Sequence, residues 1–232
     1  MKYLSVLIKG VLAGICISIG GYLCLKANVA ALSKVLGAFL FPLGLILICN
    51  FGYFLYTGKI CYLFENKEQS YKEKIFSLLL GLFGNFLGCL VVALLLRFVN
   101  RSFISEASTA QAFYSNNAQL FINLKSMVNT KLNYSWIEMI ILGAFCGMLV
   151  YIAVEGFKSI EHHVGKYLVL ILAIAGFIIC GFEHSIADMF YYFLNGTFTL
   201  ETFVSILLCV IGNSLGGLAI PSLKMLIKKL EK

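Results

Sequence analysis

Charge is what this sequence has least of. Only 12% of its 232 residues are Asp, Glu, Lys or Arg, 60% are hydrophobic, and the mean hydropathy is +0.92. A soluble fold must cover itself with polar side chains, so this composition excludes one and sets the chain in a membrane. Paired cysteines are also missing. Cys16, Cys24, Cys49, Cys61, Cys89, Cys146, Cys180 and Cys209 stand singly in apolar runs, with no Cys-x-x-Cys and no metal-ligand spacing. They read as small buried hydrophobes, not as a redox or zinc motif. No His-Glu-x-x-His or serine-nucleophile pattern occurs, and the "EHH" at 161–163 falls in a loop remote from His184 and Asp188. An intramembrane enzyme is therefore disfavoured, and no metal or cofactor is expected.

What is present is apolar length. Six stretches, at roughly 4–25, 35–64, 75–99, 134–156, 166–194 and 199–226, are long enough to cross about 30 Å of hydrocarbon. The first resembles a secretory signal, with Lys2 and Lys9 ahead of an apolar run, but five more runs follow and make it the first span. Six spans put both termini on one face. Twelve of the eighteen basic residues lie on that face (Lys2, Lys9, Lys59, Lys67, Lys72, Lys74, Lys158, Lys166, Lys224, Lys228, Lys229 and Lys232). Lys26, Lys34, Arg97, Arg101, Lys125 and Lys131 lie on the other, so both termini are expected in the cytoplasm and the protein in the plasma (inner) membrane. The net charge of +7 is this bias, with nothing left over to imply nucleic acid. One long polar connection, about 101–131, falls outside and is expected to cap the domain.

The chain also repeats itself. "GNFLGCL" at 84–90 in the third span returns as "GNSLGGL" at 212–218 in the sixth. The span before each copy is overlong and interrupted, at "NFGYFLYTGK" (50–59) and at "GFEHS" (181–185). Thr57 precedes Asn85 by 28 residues and His184 precedes Asn213 by 29. Three spans per half invert one half against the other. The expected architecture is an all-α, 3+3 inverted repeat in a single domain, 1–232, with halves of about 1–100 and 132–232 and broken second and fifth helices meeting near the midplane. Unwound backbone is tolerated at that depth only when buried in protein or lining a cavity. Paired breaks therefore imply a pathway, and a helix starting after a break offers it a positive end suited to an anion.

These residues carry a resemblance to a known family. "GFEHSIADMFYYF" resembles the signature of the formate/nitrite transporter family, "LYTG" at 55–58 is similar to the loop interrupting its second helix, and "KLNYSWIEMIILGAFCGMLVYIAV" at 131–154 to its fourth. The cysteine-rich spans and short termini most resemble the hydrosulfide channel branch. The resemblance implies an aquaporin-like homopentamer in the lipid bilayer, with one pore per protomer for small monovalent weak-acid anions: hydrosulfide, formate or nitrite. It makes His184 the central pore histidine, Thr57 its partner, Lys131 the vestibule cation, Phe41 and Phe177 the outer constriction, and Leu45 and Leu55 the inner one. Two positions depart from the family pattern, since Asp188 and Gly147 stand where Asn is usual.

The residues themselves leave some roles open. Glu183 reads as a brace for the break rather than a functional acid, and Asn85 and Asn213 as hydrogen-bond partners of the broken backbones. Asp188, one turn after His184, either pairs with it or caps a neighbour. The rival function is a membrane substrate-binding subunit of a multi-component importer, which needs neither paired breaks nor a self-sufficient pore.

Overall fold

A computed structural model describes residues 1–29, 34–65, 70–107 and 116–231. Lys67, Lys232 and the stretch 108–115 of the polar connection lie outside the described residues. The described chain is helical. The first span is α1 (Lys2–Val29); the second segment is divided into α2 (Lys34–Leu40), α3 (Leu43–Phe51) and a short α4 (Tyr56–Lys59) that runs into a 3-10 turn (Ile60–Tyr62). Then follow α5 (Tyr71–Val99), α6 (Arg101–Glu106), α7 (Asn116–Leu132), α8 (Trp136–Ser159), α9 (His163–Ile179), α10 (Ser185–Asn195) and α11 (Leu200–Leu230).

Five helical stretches, Lys2–Val29, Lys34–Phe51, Tyr71–Val99, Trp136–Ser159 and Leu200–Leu230, are long and apolar enough to cross a membrane. The sixth expected span differs, because its first helix stops at Ile179 after 17 residues and a second begins at Ser185. Local chemistry sets these ends. Ser70 with Glu73, Ser135 with Glu138 and Thr199 with Thr202 form reciprocal capping boxes that start α5, α8 and α11. Helix α3 ends at Gly52, with φ at 67°, and a turn at Gly181 follows α9, with φ at 69°; other residues rarely adopt this left-handed conformation. His162 starts α9, its Nδ1 accepting from the Gly165 N–H at 3.2 Å, which gives this member of the "EHH" triplet a capping role.

Between Phe51 and Tyr56, and between Ile179 and Ser185, backbone groups lose their helical partners, and each interruption is held by one asparagine. The Tyr56 N–H donates to Asn85 Oδ1 at 2.9 Å, and Asn85 Nδ2 donates to the carbonyls of Phe54 at 2.8 Å and Gly10 at 2.9 Å. In the same pattern the Ser185 N–H donates to Asn213 Oδ1 at 2.9 Å, and Asn213 Nδ2 donates to Glu183 O at 2.8 Å and Gly143 O at 2.9 Å. Even the flanking bonds correspond: Phe54 N–H to Lys9 O at 3.1 Å, and Glu183 N–H to Leu142 O at 3.4 Å. Positions 9, 10 and 14 map onto 142, 143 and 147 by adding 133, and 84, 85 and 88 onto 212, 213 and 216 by adding 128. This register makes Leu55, and not Thr57, the counterpart of His184, because the Asn85 bonds bracket Leu55 as the Asn213 bonds bracket His184.

Glycine permits these reaches by letting helices touch through their backbones. A Cβ at Gly14 would strike the Asn85 carbonyl oxygen, and a Cβ at Gly147 would strike that of Asn213 and come 2.8 Å from the Gly217 nitrogen. The departure at 147 is thus a matter of space, since α8 and α11 meet there too closely for an asparagine side chain. Six cysteines are buried as expected, whereas Cys49 is partly covered and Cys180, at the end of α9, is exposed; all eight are free thiols. Apolar side chains such as Leu79, Phe83, Leu94 and Phe98 on α5 and Leu207, Ile211 and Leu215 on α11 face outward, as hydrocarbon demands.

Asn213→Ala strands one N–H and two carbonyls in a dry interior, at about 1–3 kcal/mol each. The apparent melting temperature in detergent is expected to fall by several degrees or more, and Asn85→Ala to lower it comparably. A melting curve unchanged in both variants would contradict the bracing role.

Candidate functional site

The two interruptions meet. His184 is the residue just before α10, in extended conformation, 3% exposed, and Thr57 in α4 is fully buried. Their contact, Thr57 Oγ1 to His184 Nε2, is 2.9 Å. The other ring nitrogen closes the helix end, with Nδ1 accepting from the Ala187 N–H at 3.2 Å. An accepting Nδ1 has no hydrogen, so the neutral imidazole carries its proton on Nε2 and presents it to the threonine side. The Phe177 ring stacks on the imidazole, with centroids 5.7 Å apart and planes at 18°, and Phe41 meets Phe177 edge-on at 5.8 Å.

A cavity of about 670 Å³ reaches this level from the face opposite the termini. Asn28, Lys34 and Thr130 are among its outer lining, and Phe41, Phe177 and His184 line its inner part. Leu45 and Leu55 are each 2% exposed and, like Thr57, are not among its lining residues. The open space therefore ends at the aromatic pair and the histidine, with the two leucines packed in the core.

The cavity wall also carries the charges. Lys131, in the last turn of α7, forms an ion pair with Glu183 and a second with Asp188, Nζ to Oδ1 at 2.9 Å. The three side chains are 11%, 4% and 2% exposed. Burial alone would push the Lys131 ammonium down, but the Asp188 and Glu183 charges outweigh it and hold the group well above the usual lysine range. Lys131 therefore stays charged, with its field already matched by two carboxylates. Asp188 turns to this lysine, not to His184 and not to a cap. Glu183 braces the break through its backbone, which Asn213 holds, while its carboxylate anchors the cap helix α7.

Sequence reasoning assembled His184, Thr57, Phe41 and Phe177 into one place but missed the partner of Asp188. A signal was available: two carboxylates inside apolar segments need a cation, and Lys131 is the basic residue at the start of the adjoining motif. Arg97, counted in the sequence only among the basic residues of the face opposite the termini, also has a structural task. Its Nη1 donates to Leu194 O at 2.8 Å and closes the C-terminal end of α10.

Interrupted helices, a dead-ended cavity between them and a histidine at its floor define a polytopic membrane protein of the channel fold. The family model described as formate/nitrite transporter matches residues 1–227, and the chain belongs to that family. Among its relatives are the formate channel FocA of Escherichia coli strain K12, 30% identical over 161 residues, and that of Haemophilus influenzae, 25% identical over 190. The matched stretches cover 68% and 78% of this chain and 53% and 63% of those proteins. A formate-nitrite transporter of Plasmodium falciparum is 25% identical, over 91% of this chain and 71% of its own. The fold is that of a solved pentameric formate channel with formate bound, with a TM-score of 0.83, 24% identity and coverage of 99% and 98%. A solved ion channel of the same family gives 0.74 and 21%, over 97% and 89%.

Lys131→Met is expected to be costly, because it leaves the buried Glu183 and Asp188 pair without its cation, at about 3–5 kcal/mol. The triple variant Lys131→Met, Glu183→Gln, Asp188→Asn should recover most of that loss in a thermal melt. A triple variant as unstable as the single one would show that the cluster's charges are not what the lysine satisfies.

Proposed function

We propose that this chain forms a channel for small monovalent weak-acid anions, with one pore per protomer of a homopentamer and both termini in the cytoplasm. The observation that carries this reading is the histidine at the floor of the cavity, bonded to Thr57 and covered by Phe177. The matching asparagine brackets support two inverted halves around one pore, and the excess of lysine on the face of the termini supports the orientation. Formate and nitrite are the anions of the family description, and the resemblance of the cysteine-rich spans to the hydrosulfide channel branch sets hydrosulfide beside them. An importer subunit is the weaker reading, since paired interruptions serve no purpose in it.

The mechanism follows from the cost of desolvating an ion. Beyond the aromatic pair an anion would have lost its water, and a bare charge in such a medium is unfavourable by far more than a few dipoles offset. The positive end of α10 and the Nε2–H of His184 meet it there. A weak acid crosses the remaining apolar stretch past Leu45 and Leu55 as its neutral form, or close to it.

His184→Phe keeps the volume of the ring and removes its donor. Formate, nitrite and hydrosulfide flux into proteoliposomes is expected to drop roughly ten- to hundredfold, the equivalent of a charge-assisted hydrogen bond of about 1.5–3 kcal/mol, with the oligomer intact on gel filtration. His184→Asn, which still donates, should retain part of the flux. Wild-type flux from the Phe variant would reduce His184 to a brace for the break.

A further inference from the structure

Fully ionised, the Lys131 cluster is a poor neighbour for an anion. One ammonium faces two carboxylates, so the wall of the cavity would carry a net charge of −1 beside the path. Among the described residues no other charged side chain facing it corrects the sum, and the positive end of α10 offsets only about half a charge of it. Cys24 from α1, Cys146 from α8, Tyr191 and Tyr192 from α10, Cys209 from α11 and Tyr134 after α7 are neutral thiols and phenols, burial pushing the Tyr134 phenol up. His184 is held neutral by its Nδ1 acceptance, and Lys34 is exposed at the cavity's outer part. A second observation points the same way. Asp188 Oδ2 is buried, has no hydrogen-bond partner, and belongs to a side chain that lines the cavity. A carboxylate oxygen in a dry site ordinarily collects donors, whereas a carboxylic acid brings its own hydrogen.

We propose that Glu183 and Asp188 hold one proton between them beside Lys131, and that this proton is delivered to the entering anion before it reaches His184. The inference rests on the channel reading and assigns to it a proton donor one step outside the histidine. The cluster then sums to zero (an ammonium, a carboxylate and a carboxylic acid) and no longer repels the anion. In the transfer, the carboxyl O–H bond breaks and the anion takes the proton on its own lone pair. The neutral acid passes between Phe41 and Phe177, and the carboxylate left behind, steadied by Lys131, recovers a proton from water in the cavity. Each anion thus crosses with one proton, and the cluster returns to its starting state. Because the two carboxylates compete for one cation, removing either of them ends the sharing and leaves a simple ion pair.

Infrared difference spectra of the protein in lipid, in normal and in heavy water, test the site directly. At neutral pH the wild type should show the carbonyl band of a protonated carboxylic acid, shifted by deuteration. Asp188→Asn and Glu183→Gln should each lose it, since the remaining carboxylate pairs with Lys131. Proteoliposomes with a trapped pH dye give the second readout: formate uptake by the wild type should carry protons inward, and Asp188→Asn should slow that uptake at neutral pH more than at acidic pH, where water supplies the neutral acid. Absence of the band from the wild type, or its survival in both single variants, overturns the proton site even if flux is normal. A band that behaves as expected in a protein that passes no anion overturns the channel reading instead and leaves the shared proton standing.

Discussion

Everything at the centre of this molecule depends on two side-chain amides. A chain interrupted at membrane depth exposes N–H and C=O groups that no water can satisfy, each at a cost of several kcal/mol. Asn85 and Asn213 each take one N–H and two carbonyls. Asparagine suits this because its amide accepts and donates twice from a short stem with little freedom to lose. The glycines that line α1, α5, α8 and α11 are the other half of the same device. Close approach brings Gly10 O and Gly143 O within reach of the amides, and any Cβ at Gly84 or Gly212 would push the helices apart.

With the interruptions held, the chemistry of the cavity floor has few remaining choices. Residue 184 sits where a helix begins, so its ring closes that helix through Nδ1 and turns Nε2 towards the other half. The counterpart position in the first half is Leu55, buried and apolar. The two halves share a scaffold and differ in function: one contributes the titratable ring, the other a leucine and, two residues on, the hydroxyl that the ring meets. Pseudo-symmetry of backbone with asymmetry of side chains is what lets a repeat build a single site.

Much of this was legible in the residues. The twin Gly-Asn strings and the interruptions ahead of them needed only periodicity and the cost of unpaired backbone, and they located His184 and Thr57. Register was harder. Counting from motif to motif aligns Thr57 with His184, and the two do bond, whereas the asparagine bonds make Leu55 the counterpart of His184 in the repeat. The ion cluster was least legible. Lys131 lies 52 residues from Glu183 in the chain, and only folding places the end of α7 over the start of α10. Gly147 marks a similar limit, since its meaning lies in the distance to another helix's carbonyl and not in its own neighbours.

The cluster also ties the polar cap to the membrane domain, which bears on how the outer face is built. Helix α7 is the most polar long helix among the described residues, yet its own Leu120, Phe121, Leu124 and Val128 are buried, and Lys131 lies in its last turn. A cationic side chain near a helix C-terminus is favoured by the dipole, and here the same ammonium reaches into the cavity wall. Two carboxylates from the start of α10 draw it in, so cap position and site charge are one variable. A change in the charge of either carboxylate is felt at α7, and a displaced α7 exposes both carboxylates to water. In that coupling α7 is part of the site, because its lysine covers the two acidic side chains that line the cavity.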